Sequence, residues 1–175
     1  MRRLIAALAL IAVVAIAPAC RTKRKAHPRV IEDDGQIASV VNVADPRAAV
    51  QLIHGFYTVE ANAWRWTMKN FTVSLRPPVG SAQNGATIEL KFSIPDLIRA
   101  KFSTIAIDCR VNGTDLGPET YSKAGDNVYT RDVPASALQG GSVNFDFSVD
   151  KALPPSDKDD RELAIVVSII GLTPK

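Results

Sequence analysis

The chain is poor in reactive side chains. Its 175 residues hold two cysteines, two histidines, six Phe, three Tyr and two Trp. His27 and His54 stand apart, and no His/Cys cluster has metal-ligand spacing. There is no Gly-x-Ser-x-Gly elbow and no phosphate-cradling glycine loop. The run Asp157, Asp159, Asp160 lacks the spacing and glycine of a calcium loop, so it reads as a solvated turn. No metal ion and no cofactor is expected. Internal repeats and low-complexity segments are also missing. A long apolar run occurs once, Leu4–Ile16, and it is too short to span a membrane comfortably.

That run sits behind Arg2 and Arg3 and ends in small residues before Cys20. The arrangement predicts a secretory signal over residues 1–19. Ala17-Pro18-Ala19-Cys20 resembles a lipobox, and this resemblance implies a diacylglyceryl group on Cys20. Acyl chains contribute about 0.8 kcal/mol per buried methylene. Arg21 rather than Asp follows the Cys, which by the same resemblance points to the outer membrane of a Gram-negative envelope. Arg21, Lys23, Arg24 and Lys25 come next, a basic stretch suited to anionic head groups. Residues 20–43 read as a lipidated, flexible tether and 44–175 as one domain. Setting aside the six basic residues of the leader and tether start leaves 15 Lys and Arg against 18 acidic residues. The domain is therefore slightly acidic although the chain is +3 overall. That excludes nucleic acid as the expected partner. With Cys20 acylated, Cys109 has no partner for an intramolecular disulfide and reads as a small core residue.

Asp45-Pro46 looks like an N-cap followed by a first helical residue. The apolar residues up to Ile53, with Gly55 as a stop, predict one short helix. Beyond it the pattern is period two. Phe71, Val73 and Leu75 alternate with polar residues, as do Ile88, Leu90, Phe92 and Ile94, the odd positions from Ile105 to Val111, and Val143, Phe145, Phe147 and Val149. Pro77-Pro78, Asn84-Gly85, Asn112-Gly113 and Gly140-Gly141 separate them as turns, and Asn112-Gly113 suits a tight hairpin. The run Leu163–Leu172 is apolar at both parities, which predicts a central strand. The expected fold is all-β, an antiparallel β-sandwich of about eight strands, jelly-roll-like, with one short N-terminal helix.

Both tryptophans fall in one stretch, His54 to Phe71. In a strand Trp64 and Trp66 share a face and Arg65 takes the other. Facing inward, they fill the core. Facing outward with Tyr57, they form an aromatic platform on which sugar rings stack. Glu60 and Arg65 flank this strand, and Arg161 and Glu162 stand where the last apolar run begins. These four are expected to form an ion-pair network across the sheet.

The set Gly55-Phe56-Tyr57, Glu60, Trp64-Arg65-Trp66-Thr67, Pro154-Pro155 and Asp160-Arg161-Glu162-Leu163 resembles a recurring bacterial β-sandwich module. That module is associated with small envelope lipoproteins and with accessory modules of polysaccharide-building glycosyltransferases. The resemblance covers residues 45–172 and departs at Ala164, where the pattern has Gly. It implies a non-catalytic module in an envelope-glycan setting, and it supplies no catalytic residues. The expected function is a lipid-anchored binding or accessory module with carbohydrate as ligand class. The alternatives are a structural or protein-interaction lipoprotein and, with less support, a glycosidase using two of Glu60, Asp160 and Glu162.

Overall fold

A computed structural model describes residues 37–175. The signal sequence, Cys20 and the basic stretch after it lie outside the described residues. Ten strands are present among the described residues, where the sequence predicts about eight: β1 (Val40–Asn42), β2 (Leu52–Glu60), β3 (Trp64–Leu75), β4 (Ala86–Ile94), β5 (Ile105–Val111), β6 (Thr114–Asp115), β7 (Glu119–Tyr121), β8 (Gly125–Val133), β9 (Val143–Val149) and β10 (Val166–Pro174). All pair antiparallel. The main path runs β6-β5-β9-β3-β10-β4-β8, with β1 beside β10, β2 beside β3 and β7 beside β5.

This sheet curls until its two halves face each other. Tyr129 on β8 and Phe147 on β9 belong to opposite halves of the strand order, yet their ring centroids lie 6.0 Å apart. Phe92 on β4 meets Tyr121 on β7 edge-on at 4.9 Å. The long strand β3 makes the fold-over possible. Its first residues, Arg65 and Trp66, pair with β10, and its last six pair with β9. The period-two residues named above on β3, β4, β5 and β9 are all buried. Cys109 is among them, free and fully covered. β10 is flanked by β4 along its length and by β3 and then β1 on its other edge. Pairing on both edges makes it a central strand. Ala164 and Ile165 leading into it and Val166 and Val167 at its start are buried at both parities, while Ser168 and Ile169 are half-buried. The Asn112-Gly113 hairpin forms with both residues at positive φ, 46° and 78°, joining Val111 to its partner Thr114.

Three expectations need correction. The domain begins before residue 44: β1 adds to β10, and Val41 and Val43 are buried. The N-terminal helix is a single 3-10 stretch, Pro46–Val50, capped by Asp45 as expected. Gln51 ends it. Its buried side chain donates to Ala38 O and Ser74 O and accepts from Ala38 N–H, tying three segments together. The β-branched Ile53 then continues as strand β2, and His54 and Gly55 lie inside that strand rather than at a helix end. Gly55 has φ +76°, and a Cβ there would lie 2.1 Å from Asn70 O, so only glycine lets β2 lie this close to β3. Finally, the region after Gly55 is not all strand. It includes helices α1 (Ser81–Asn84) and α2 (Asp96–Lys101) and a 3-10 turn at Ala135–Leu138. In α2, Asp96 stands in the first turn and Arg99 and Lys101 in the last, matching the helix dipole.

Candidate functional site

The outer face of the β3-β9-β5 half carries an open groove of about 350 Å³. Its polar lining is Asn70 and Thr72 from β3, Asp146 and Ser148 from β9, and Asp108 and Arg110 from β5. Register sorts these six into two transverse rows. Thr72 lies opposite Asp146, and Asp146 opposite Arg110. Asn70 lies opposite Ser148, and Ser148 opposite Asp108. Directly paired residues of antiparallel strands project on the same face. Period two explains the face: Phe71, Val73, Phe147 and Cys109 turn inward, so their neighbours turn out. On the inner side of the sheet the rings of Phe71 and Phe147 stack in the core at 5.1 Å with planes 10° apart.

The polar groups are held in place by the protein. Thr72 Oγ1 donates to Asp146 Oδ1 at 2.7 Å. The Cys109 N–H donates to Asp108 Oδ1 at 2.8 Å. Arg110 Nη2 reaches Asp115 Oδ2 at 3.4 Å on the neighbouring β6. Asp115 also accepts from the Gly117 N–H at 2.8 Å, which, with Arg110, holds its carboxyl below the usual carboxylate range. The six-residue lining thus carries two carboxylates and one guanidinium, with Asp115 paired to that guanidinium from β6. Burial pushes the Cys109 thiol well up, and the charges of Asp108, Asp146 and Asp115 push it further, so it stays a protonated core group rather than a nucleophile. Among the described residues, no group of three or more His, Cys, Asp or Glu side chains is placed to hold a metal ion.

The sequence-predicted residues gather elsewhere. Trp64 and Trp66 do share a face and meet edge-on at 6.3 Å. Trp66 is 6% exposed and belongs to the core, while Trp64 is half-buried against it. Tyr57 is half-buried, with the Arg161 guanidinium 5.2 Å from its ring centroid. These three rings therefore present no common open face. Of the four charged residues, Glu60 and Arg161 pair at 2.7 Å. Arg161 also binds Asp159, so that carboxylate is paired rather than merely solvated as its turn suggests. Arg65 serves the backbone instead, donating to Val43 O at 2.7 Å and Tyr57 O at 2.8 Å. Glu162 accepts from the Lys69 N–H at 2.7 Å. The cluster is a clasp joining β1, β2, β3 and the turn before β10.

The groove residues carried a weak signal. Each is the polar member of an alternating strand, but alternation says nothing about which strands become neighbours. No protein-family model matches the chain, and no curated protein matches it. Among solved structures it is similar to the CBM36-1 domain of a multidomain xylanase from the hindgut metagenome of Trinervitermes trinervoides. That match has TM-score 0.45 and 15% identity and covers 78% of this chain and 96% of that one. It is similar also to a carbohydrate-binding module CBM36 solved with calcium and xylotriose, at TM-score 0.41, 13% identity, and 77% and 98% coverage. A third is an acetyl xylan esterase from Butyrivibrio proteoclasticus, at TM-score 0.45 and 7% identity, covering 79% of this chain and 34% of that one. Likeness at this level assigns neither ligand nor residues.

Proposed function

We propose that the chain is a non-catalytic binding module that holds an uncharged polysaccharide in the groove across β3, β9 and β5. The observation that carries this reading is the two-row array of six polar side chains that lines the groove. Sugar hydroxyls both donate and accept, and the array offers fixed acceptors at Asp146 and Asp108 and a donor at Arg110. The surplus of carboxylate over guanidinium disfavours an anionic chain. Asp146 and Asp108 each accept a hydrogen bond from the protein and stand on an open sheet face, an arrangement for holding a ligand rather than cleaving it. The Trp pair is not part of this site.

The same proposal places the module on the envelope. Acylation of Cys20 would anchor it, with the basic tether against the membrane surface and the outer membrane as destination. The sequence resemblance to accessory modules of polysaccharide-building glycosyltransferases is consistent with that setting. The test is affinity electrophoresis of the full chain in detergent through gels containing neutral or anionic polysaccharide. Retardation by a neutral polymer, lost in Asp146→Ala and Arg110→Ala with unchanged thermal unfolding, is the expected result. Equal mobility in every gel would sink the reading.

A protein-interaction role is the second reading. It is favoured by β8, whose nine residues pair with β4 along one edge and which exposes Val128 at 44%.

A further inference from the structure

The Thr72-Asp146-Arg110 row does not stop at the groove. On β2, His54 lies opposite Thr72. On β6, Asp115 lies opposite Arg110. The pairings line up His54, Thr72, Asp146, Arg110 and Asp115 across five successive strands, β2-β3-β9-β5-β6, continuous in register from Thr72 to Asp115 and reaching His54 through a single pair with a register shift on each side. At the usual strand spacing of about 4.8 Å, four gaps make a row roughly 19 Å long. His54 and Asp115 are both exposed, so the row is open at each end.

Two local features set those ends. Gly55 lets β2 approach β3 so closely that His54 lands beside Thr72. At the other end, Gly117 N–H and Arg110 hold the Asp115 carboxylate beside β5. A second row, Asn70-Ser148-Asp108, runs beside the middle three strands. The middle of the face is thus two residues wide, and its ends are one residue wide.

Resting on the polysaccharide reading above, we propose that this face takes an internal segment of a linear chain lying across the strands. His54 and Asp115 are its two terminal contacts. A single sugar would fill the double-rowed middle alone, whereas an extended oligomer reaches both ends. Length should therefore decide affinity, His54 should matter only for ligands long enough to reach it, and Asp115, which also holds Arg110, should matter most for the longest ones.

The experiment is titration calorimetry of the full chain in detergent with cello-oligosaccharides and N-acetylglucosamine oligomers of two to six units. His54→Ala, Asp115→Ala and Asp146→Ala variants are measured beside it. Expected is affinity that climbs with length for at least one series. His54→Ala should weaken the longest oligomer about three- to tenfold, the size of one lost hydrogen bond, and leave the dimer unchanged, whereas Asp115→Ala, which also releases Arg110, should weaken the longest oligomer more than it weakens the dimer. Asp146→Ala should weaken every length. Affinity that is flat from the dimer upward, or indifferent to both end variants while still lost in Asp146→Ala, overturns the transverse site and leaves the groove. Absence of binding by every oligomer of both series overturns the transverse site, and with the gel result above it overturns the groove as well.

Discussion

Arg161 and Glu60, 101 residues apart in the chain, meet at 2.7 Å. The same guanidinium donates to both oxygens of Asp159, at 2.9 and 2.8 Å, and lies over Tyr57. One side chain so holds the end of β2 to the turn that precedes β10. Arg161→Met should lower stability by about 1–2 kcal/mol, the sum of partly exposed ion pairs and a cation–π contact. Urea unfolding measures it, and a change below about 0.3 kcal/mol would show the clasp to be idle.

The clasp also predicts an acid response. Arg161 holds the Asp159 carboxyl below its ordinary value, through side-chain hydrogen bonds first and its backbone N–H second. A carboxyl whose folded pKa is depressed stabilises the fold above its unfolded pKa, about 3.9, and that stability is lost as pH falls through the lower folded value. Asp159→Asn should therefore flatten the fall of stability below about pH 4 while leaving its shape near neutrality unchanged. Identical slopes for parent and variant in unfolding curves at pH 5, 4 and 3 would contradict this.

Much of the fold was legible because burial in a sheet has a fixed period. Phe71 to Leu75, Ile88 to Ile94 and Val143 to Val149 read as half-buried strands, and the run near the C-terminus, apolar at both parities, reads as a central strand. The site was less legible for a physical reason. Asp146 meets Arg110 because β9 inserts between β3 and β5, a long-range choice that no local pattern encodes. The pair Glu60–Arg161 was foreseeable as opposite charges at strand ends, but Arg65 and Glu162 were not. Backbone carbonyls and N–H groups compete for charged side chains, and a sequence does not show which of them go unpaired. Gly55 misled in the same way, since a glycine after an apolar run marks a helix stop as readily as a bulge.

Gly55→Ala is the sharpest test of the β2–β3 approach. The substitution would force a Cβ to 2.1 Å from Asn70 O, and an alanine at φ +76° adds strain of about 1–2 kcal/mol. Stability should fall by at least about 2 kcal/mol, or roughly 4–8 °C in Tm for a domain of this size. A variant that melts with the parent would mean that β2 does not sit where Asn70 O confines it.

Arg65 ties the segment just after β1 to the interior of β2 through carbonyls, not carboxylates. Arg65→Met leaves Val43 O and Tyr57 O without their donors and should cost about 2 kcal/mol. Lysine has a single point donor and cannot span both oxygens, so Arg65→Lys should recover less than half of the loss. Full recovery by Lys would show that charge alone, rather than the forked geometry, is what the position needs.

The two tryptophans can be separated optically, and their behaviour bears on the site. With Trp64→Phe, the remaining Trp66 should emit at short wavelength and resist acrylamide, because its ring is core. With Trp66→Phe, the half-buried Trp64 should be partly quenched. Neutral polysaccharide should protect neither ring, since the groove is lined by Asn70, Thr72, Asp108, Arg110, Asp146 and Ser148 and not by these residues. Trp66→Ala should cost about 3–5 kcal/mol, the usual loss for a large core aromatic. Protection of Trp64 by polysaccharide would move the ligand to the clasp end of the sandwich and away from the two polar rows.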